Sequence, residues 1–182
     1  MARSEAATDA DGRGVERAAR LLDVDGVSDV ARAALDGAGG PALRRCGRGA
    51  AVVAALRLAA RRGGRVDLDL EDACEAFGVH PGDALRAEEL LRAELSPPAG
   101  PEAVSRLRRG VNAVREVLLA KERGRTNAPR LPPGVLADAA PALAGRPLET
   151  VDGDELRAHL RRLEGDLEMA RLGVRLYALV HG

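Results

Sequence analysis

The stretch "AAVVAALRLAA", Ala50 to Ala60, decides the fold: six of its eleven residues are Ala, and Arg57 is the one charged side chain among them. A helix that is apolar around its whole circumference has no solvent face, so it belongs at the centre of a helical assembly. Its small side chains let neighbouring helices approach closely. It is also far shorter than the roughly 18 apolar residues that mark a membrane span.

Outward from this segment the pattern stays helical, without runs of alternating β-branched residues. The periodicity predicts helices near 14–24, 27–36, 48–62, 69–77 and 82–95, after a flexible N-terminus over 1–13. "SPPAGP", Ser96 to Pro101, interrupts the pattern, because Pro removes amide donors and restricts the residue before it. A helix at about 102–122, a Pro-rich connection from Gly124 to Pro147 with room for one short helix, and a long helix near 153–179 follow. The expected fold class is all-α: a five-helix domain over 14–95 and a helical C-terminal region over 102–182.

The segment "LEDACEAFGVHPGDALRAEELLRAEL", Leu70 to Leu95, has the layout of a helix-turn-helix. Asp69 can cap its first helix, where Glu71 and Asp72 suit the macrodipole. Gly78 supplies the turn, and Pro81 sits where a missing amide costs nothing. Val79, Ala84, Leu85 and Leu91 are the expected inward contacts. The second helix is nevertheless acidic.

Formal charge is zero over the 182 residues, but it is distributed in blocks. Pro41 to Arg65 holds seven Arg and no acid, whereas Val66 to Leu95 holds nine acids against Arg86 and Arg92. Glu102 to Arg130 is basic again, with eight basic residues and three acids. Such asymmetry fits either a basic face for phosphate or mutually paired helix faces. Every basic residue except Lys121 is Arg, while Ile, Gln and Trp are absent, so a GC-rich genome accounts for part of the arginine content.

Taken together, "GRGAAVVAALRLAARRGGR" and "LDLEDACEAFGVHPGDALRAEELLRAEL" resemble one cyclin-box repeat of the archaeal and eukaryotic transcription factor IIB family. A Gly-Arg-small sequence opens an Ala-rich central helix there, and a helix and turn ending in Gly-Val follow. The resemblance covers about residues 14–95 and is best over 47–95. It implies a cyclin-like domain that contacts TATA-binding protein or promoter DNA. The chain departs from the family in lacking the paired cysteines of a zinc ribbon, in having His80 where Ser or Thr is usual, and in offering Gly82, Asp83, Arg86 and Glu89 where polar and basic residues contact DNA.

In the C-terminal half, Val104, Leu107, Val111, Val114 and Leu118 form a narrow heptad seam, as do Leu156, Leu160, Leu163, Leu167, Ala170, Val174 and Tyr177. The two seams can pair with each other as an antiparallel hairpin, pack on the first domain, or form a homodimer or partner-helix surface. Gly165 and Gly173 each cost the long helix about 1 kcal/mol relative to Ala, which points to a bend or a close approach.

Catalytic chemistry has little footing. His80, His159 and His181 stand at no motif spacing from Cys, Ser or carboxylates. Cys46 and Cys74 form no zinc pattern and are expected as small buried thiols in a reducing cytoplasm. "GRGAAV" follows no strand and "DLDLED" lacks the Gly and distal Glu of a calcium loop. Phe77 and Tyr177 are the two aromatic residues, too few for a single-strand stacking platform. No enzyme, cofactor or metal is expected, and the chain is read as soluble and cytoplasmic.

Two functional readings follow. In one, a transcription-factor-IIB-like regulator binds duplex DNA weakly through the backbone, with Arg57, Arg61, Arg62 and Arg65 on phosphate and Arg86 adding a limited contact. In the other, an adaptor or dimerisation module works without DNA, with Leu156, Leu160, Leu163, Leu167, Val174 and Tyr177 as its interface. Under the first reading, exchanging Arg61 and Arg62 for Glu leaves the fold intact.

Overall fold

The computed structural model describes residues 14–64, 68–125, 141 and 150–182, and no strand occurs among them. The N-terminal stretch 1–13 and the short helix expected between Gly124 and Pro147 lie outside the described residues. In chain order the helices are α1 (14–21), α2 (Ser28–Ala38), α3 (Gly40–Gly63), α4 (Leu70–Phe77), α5 (Pro81–Glu94), α6 (Pro101–Glu122), α7 (Gly153–Leu172) and α8 (Val174–His181). A single 3-10 turn, Asp25–Val27, precedes α2. The chain forms two compact units, the first running to Pro98 and regaining Arg171–Gly182, the second comprising Ala99–Ala170.

The first unit is organised around α3, which packs against α5, α2 and α4. Every residue from Ala50 to Ala60 is buried, Arg57 included. A uniformly apolar helix can be satisfied in no other way, since any outward side would expose Ala, Val or Leu to water. Val15, Ala18 and Ala19 of α1 join the same core, as do Ala73 and Cys74 of α4 and Ala84, Ala87 and Leu91 of α5. Leu85, expected inward, is 44% exposed, because the inner stripe of α5 runs through Ala84, Ala87, Glu88 and Leu91.

Two glycines explain where helix limits differ from expectation. Helical structure already begins at Gly40, with Pro41 in the first turn, but Gly47, at φ 81° and ψ 168°, is non-helical and kinks α3, so the part of α3 beyond the kink starts at 48, where the sequence predicts a helix start. The long helix expected over 153–179 is two helices. Gly173, at φ 79° and ψ 149°, adopts a conformation essentially reserved for Gly and parts α7 from α8. A Cβ there would clash with the backbone oxygen of Ser96. The break returns α8 to the first unit, where it packs on α2 with Leu176 fully buried. Arg171–Gly182 are therefore grouped with the first unit, apart from the rest of the residues from 102 onward.

Within the second unit the seams of α6 and α7 meet each other. Val114, Val117, Leu118 and Ala120 form a core with Val151 and Leu156, against which Leu160 and Leu163 pack. The pairing is antiparallel: Ala99 N donates to Ala170 O at 2.7 Å at one end, while Arg157 bonds Glu122 at 2.8 Å at the other. Exposed ion pairs such as Arg115–Glu164 contribute about 1 kcal/mol at most. The expected interface set is therefore divided. Leu156, Leu160 and Leu163 are used in the hairpin, and Leu167 is half-buried. Val174 is 65% exposed, and Tyr177 packs on the core of the first unit.

Two substitutions test this division. Val53→Asp buries an unpaired carboxylate at the centre of the first unit and is expected to cost about 4 kcal/mol or more. Leu156→Asp is expected to melt the hairpin while α2–α5 stay folded. Amide hydrogen exchange read helix by helix checks both. Full protection of α6 and α7 in Leu156→Asp would contradict the packing.

Candidate functional site

Local chemistry sets the orientation of α5. The Asp69 carboxylate accepts from Glu71 N at 2.8 Å and Asp72 N at 3.1 Å, fixing the start of α4. Gly78, left-handed at φ 60°, ends α4 and turns the chain. His80 then takes the capping position, its Nδ1 accepting from Gly82 N at 3.1 Å. The imidazole does here what a Ser or Thr hydroxyl does elsewhere.

So oriented, α5 directs a carboxylate into the protein. Glu88 is 2% exposed. Its Oε2 accepts from Arg57 Nη1 at 2.8 Å, and its Oε1 accepts from Arg61 Nη1 at 3.1 Å and from Arg92 Nη2. Arg57 is itself 5% exposed, and its buried Nε has no hydrogen-bond partner among the described residues. Arg61 and Arg92 hold half-exposed positions, with side chains 49% accessible. Ionised Glu88 is thus over-neutralised: three guanidinium charges surround one carboxylate. Arg61 and Arg92 meet at a single oxygen, and two like charges that close at a half-exposed site repel by about 1–3 kcal/mol.

Arg62, next in sequence to Arg61, points elsewhere. It is 9% exposed, and its Nη1 donates to the carbonyl of Leu172, the last residue of α7. A cation at a helix C-terminus is favourably placed. Burial lowers its pKa, with the nearby positive Arg92 acting in the same direction. Arg175 donates in turn to the backbone carbonyl of Glu94. Burial likewise pushes the Cys74 thiol up, opposed by the charge of Arg57.

The phosphate-binding set expected from sequence is therefore only partly available. Arg57 and Arg62 are corrected: both are buried and hydrogen-bonded within the chain. Arg61 is half-exposed but bonded to Glu88, Arg86 is exposed, and Arg65 lies outside the described residues. The Arg61→Glu and Arg62→Glu exchange is consequently a stability variant, because Glu at 62 would bury a second carboxylate against a carbonyl oxygen.

Glu88 itself was missed, although its position was signalled. Ala84, Glu88, Leu91 and Leu95 follow helical spacing along an inner stripe, and Arg57 interrupts an otherwise apolar helix. Two charges on two buried stripes call for each other.

An open cleft of about 630 Å³ lies between α2 and α8, lined by Asp29, Arg32, Asp36, Leu179 and His181. Another of about 420 Å³ lies along the first turns of α6. Among the described residues, no three His, Cys, Asp or Glu side chains come together as metal ligands, and no helix is long and apolar enough to cross a membrane. No family model matches the chain, and no curated protein or solved structure does either.

The geometry makes two predictions. Glu88→Ala leaves Arg57 as an uncompensated buried charge and is expected to cost about 3–5 kcal/mol in urea unfolding, whereas Glu89→Ala, on the outer face, changes stability by about 0.5 kcal/mol or less. Cys46 is half-buried and Cys74 is 2% exposed with a raised pKa, so less of it is thiolate at neutral pH. Iodoacetamide is therefore expected to label Cys46 first, and Cys74 only as the first unit unfolds, as peptide mass mapping will show.

Proposed function

We propose that the chain is a non-enzymatic protein-interaction adaptor built on a cyclin-like scaffold, with a helix-turn-helix that serves packing instead of base reading. One observation carries this reading: α5 turns Glu88 inward to hold Arg57, Arg61 and Arg92. With that phase fixed, its exposed side presents Asp83, Leu85 and Glu89 around Arg86, beside Glu71, Asp72 and Glu75 of α4. Phosphates are repelled by more of this surface than attract them. A protein partner with basic residues and an apolar contact for Leu85 suits it better. The resemblance to transcription factor IIB makes TATA-binding protein, or another transcription protein, the first partner to test.

A second reading retains duplex DNA. Arg44, Arg45, Arg106, Arg108 and Arg109 are exposed, and none of them forms an ion pair among the described residues. They provide backbone contacts without a base-reading helix.

A pull-down with purified TATA-binding protein and a mobility shift with duplex DNA separate the readings. Under the adaptor reading, protein is retained, Asp83→Arg with Glu89→Arg abolishes retention, and DNA shifts weakly at low salt without sequence preference. Sequence-selective binding lost in Arg86→Ala would show that α5 reads bases and would overturn the proposal. A shift that weakens about tenfold in Arg106→Ala with Arg109→Ala supports the second reading.

A further inference from the structure

The Glu88 cluster carries more positive charge than its structure uses. Arg57 from α3 satisfies Glu88 from within, at 2.8 Å to Oε2. Arg61 from α3 and Arg92 from α5 then converge on the other oxygen from the half-exposed side. Each gives Glu88 one N–H and has no other hydrogen-bond partner among the described residues. A guanidinium carries five N–H donors in a fixed fork. Two such forks, from two helices packed on each other, are thus held at one carboxylate oxygen on side chains that are each 49% accessible.

We infer that Arg61 and Arg92 form a clamp for a tetrahedral oxyanion, phosphate or a phosphomonoester, with Glu88 as the post that positions both side chains. Guanidinium forks match phosphate oxygens bidentately. Arg57, Arg61 and Arg92 exceed Glu88 by two positive charges, so the site attracts an anion despite the carboxylate behind it. Buried Arg62 adds a further positive charge nearby; burial first, and then the charge of Arg92, lowers its pKa. The bound oxyanion relieves the repulsion between Arg61 and Arg92. It does not displace Glu88, which keeps Arg57. This inference is independent of whether α4 and α5 engage a protein partner.

The test is calorimetric titration of the full chain with inorganic phosphate at constant ionic strength, balanced by sodium chloride. One saturable site is expected, weakened at least tenfold by Arg61→Gln or Arg92→Gln and unchanged by Arg86→Gln, which lies exposed on the same helix. Nitrogen NMR of the arginine Nε–Hε groups in the unmodified protein provides a readout that does not depend on the variants folding. The signals of Arg61 and Arg92 should move with phosphate and saturate together, with those of Arg44 and Arg45 as exposed controls. Methyl phosphate binding as tightly as phosphate assigns a phosphomonoester, whereas phosphate alone assigns the free anion; both outcomes uphold the clamp. Linear, unsaturable heats, or equal movement of all exposed arginine signals, would mean screening by an adventitious ion only and would overturn it.

Discussion

The first unit depends on one buried ion pair, Arg57 with Glu88. Neither residue tolerates its position alone, since an isolated charge in an apolar interior costs far more than a hydrogen bond returns. Together they are close to neutral in stability but exacting in geometry. The carboxylate must face α3 at the level of Arg57, which fixes both the rotation of α5 and its register along α3. Ala84, Ala87 and Leu91 on the same stripe would pack in neighbouring registers as well, because small apolar side chains are forgiving. The charge pair is not.

This constraint also accounts for the opposed charge blocks. Arg57 and Arg61 come from the basic run and Glu88 from the acidic run, so part of the asymmetry is spent within the core. What remains is divided by element: acid on the outer sides of α4 and α5, base on the early part of α3 and on α6. Formal neutrality therefore describes the sum and not the surface. A partner would meet faces of definite sign.

Much of the fold was legible in the sequence. The all-α class, the buried Ala50–Ala60 helix, the Asp69 cap and the turn at Gly78 rest on local chemistry acting within one or two helical turns, where sequence is most informative. At the second break the sequence pointed to a bend or a close approach at Gly165 or Gly173 without deciding between them, because a glycine's cost to a helix does not reveal whether the helix bends there or continues; Gly173 breaks it, whereas Gly165, in the same helix, continues. The candidate site was less legible. Seven arginines without an acid look like an exposed face until Glu88, 31 residues from Arg57 and 27 from Arg61, is placed beside two of them. Charge composition reports local excess, whereas burial is settled by helix phase against another element.

Arg61 and Arg62 show how fine that distinction is. Successive residues in a helix point about 100° apart, so neighbours with identical chemistry face different surroundings. Arg61 turns towards α5 and remains half in solvent, while Arg62 turns towards the end of α7 and binds the Leu172 carbonyl. One thereby extends the Glu88 cluster to the surface. The other secures the chain immediately before Gly173, the point at which α8 folds back onto α2. The arginines at the end of α3 thus join two closures of the same unit, α5 through a carboxylate and α8 through a helix terminus. A charge-reversal scan that treated 61 and 62 as one basic patch would mix a surface property with a folding property, so each position has to be altered alone.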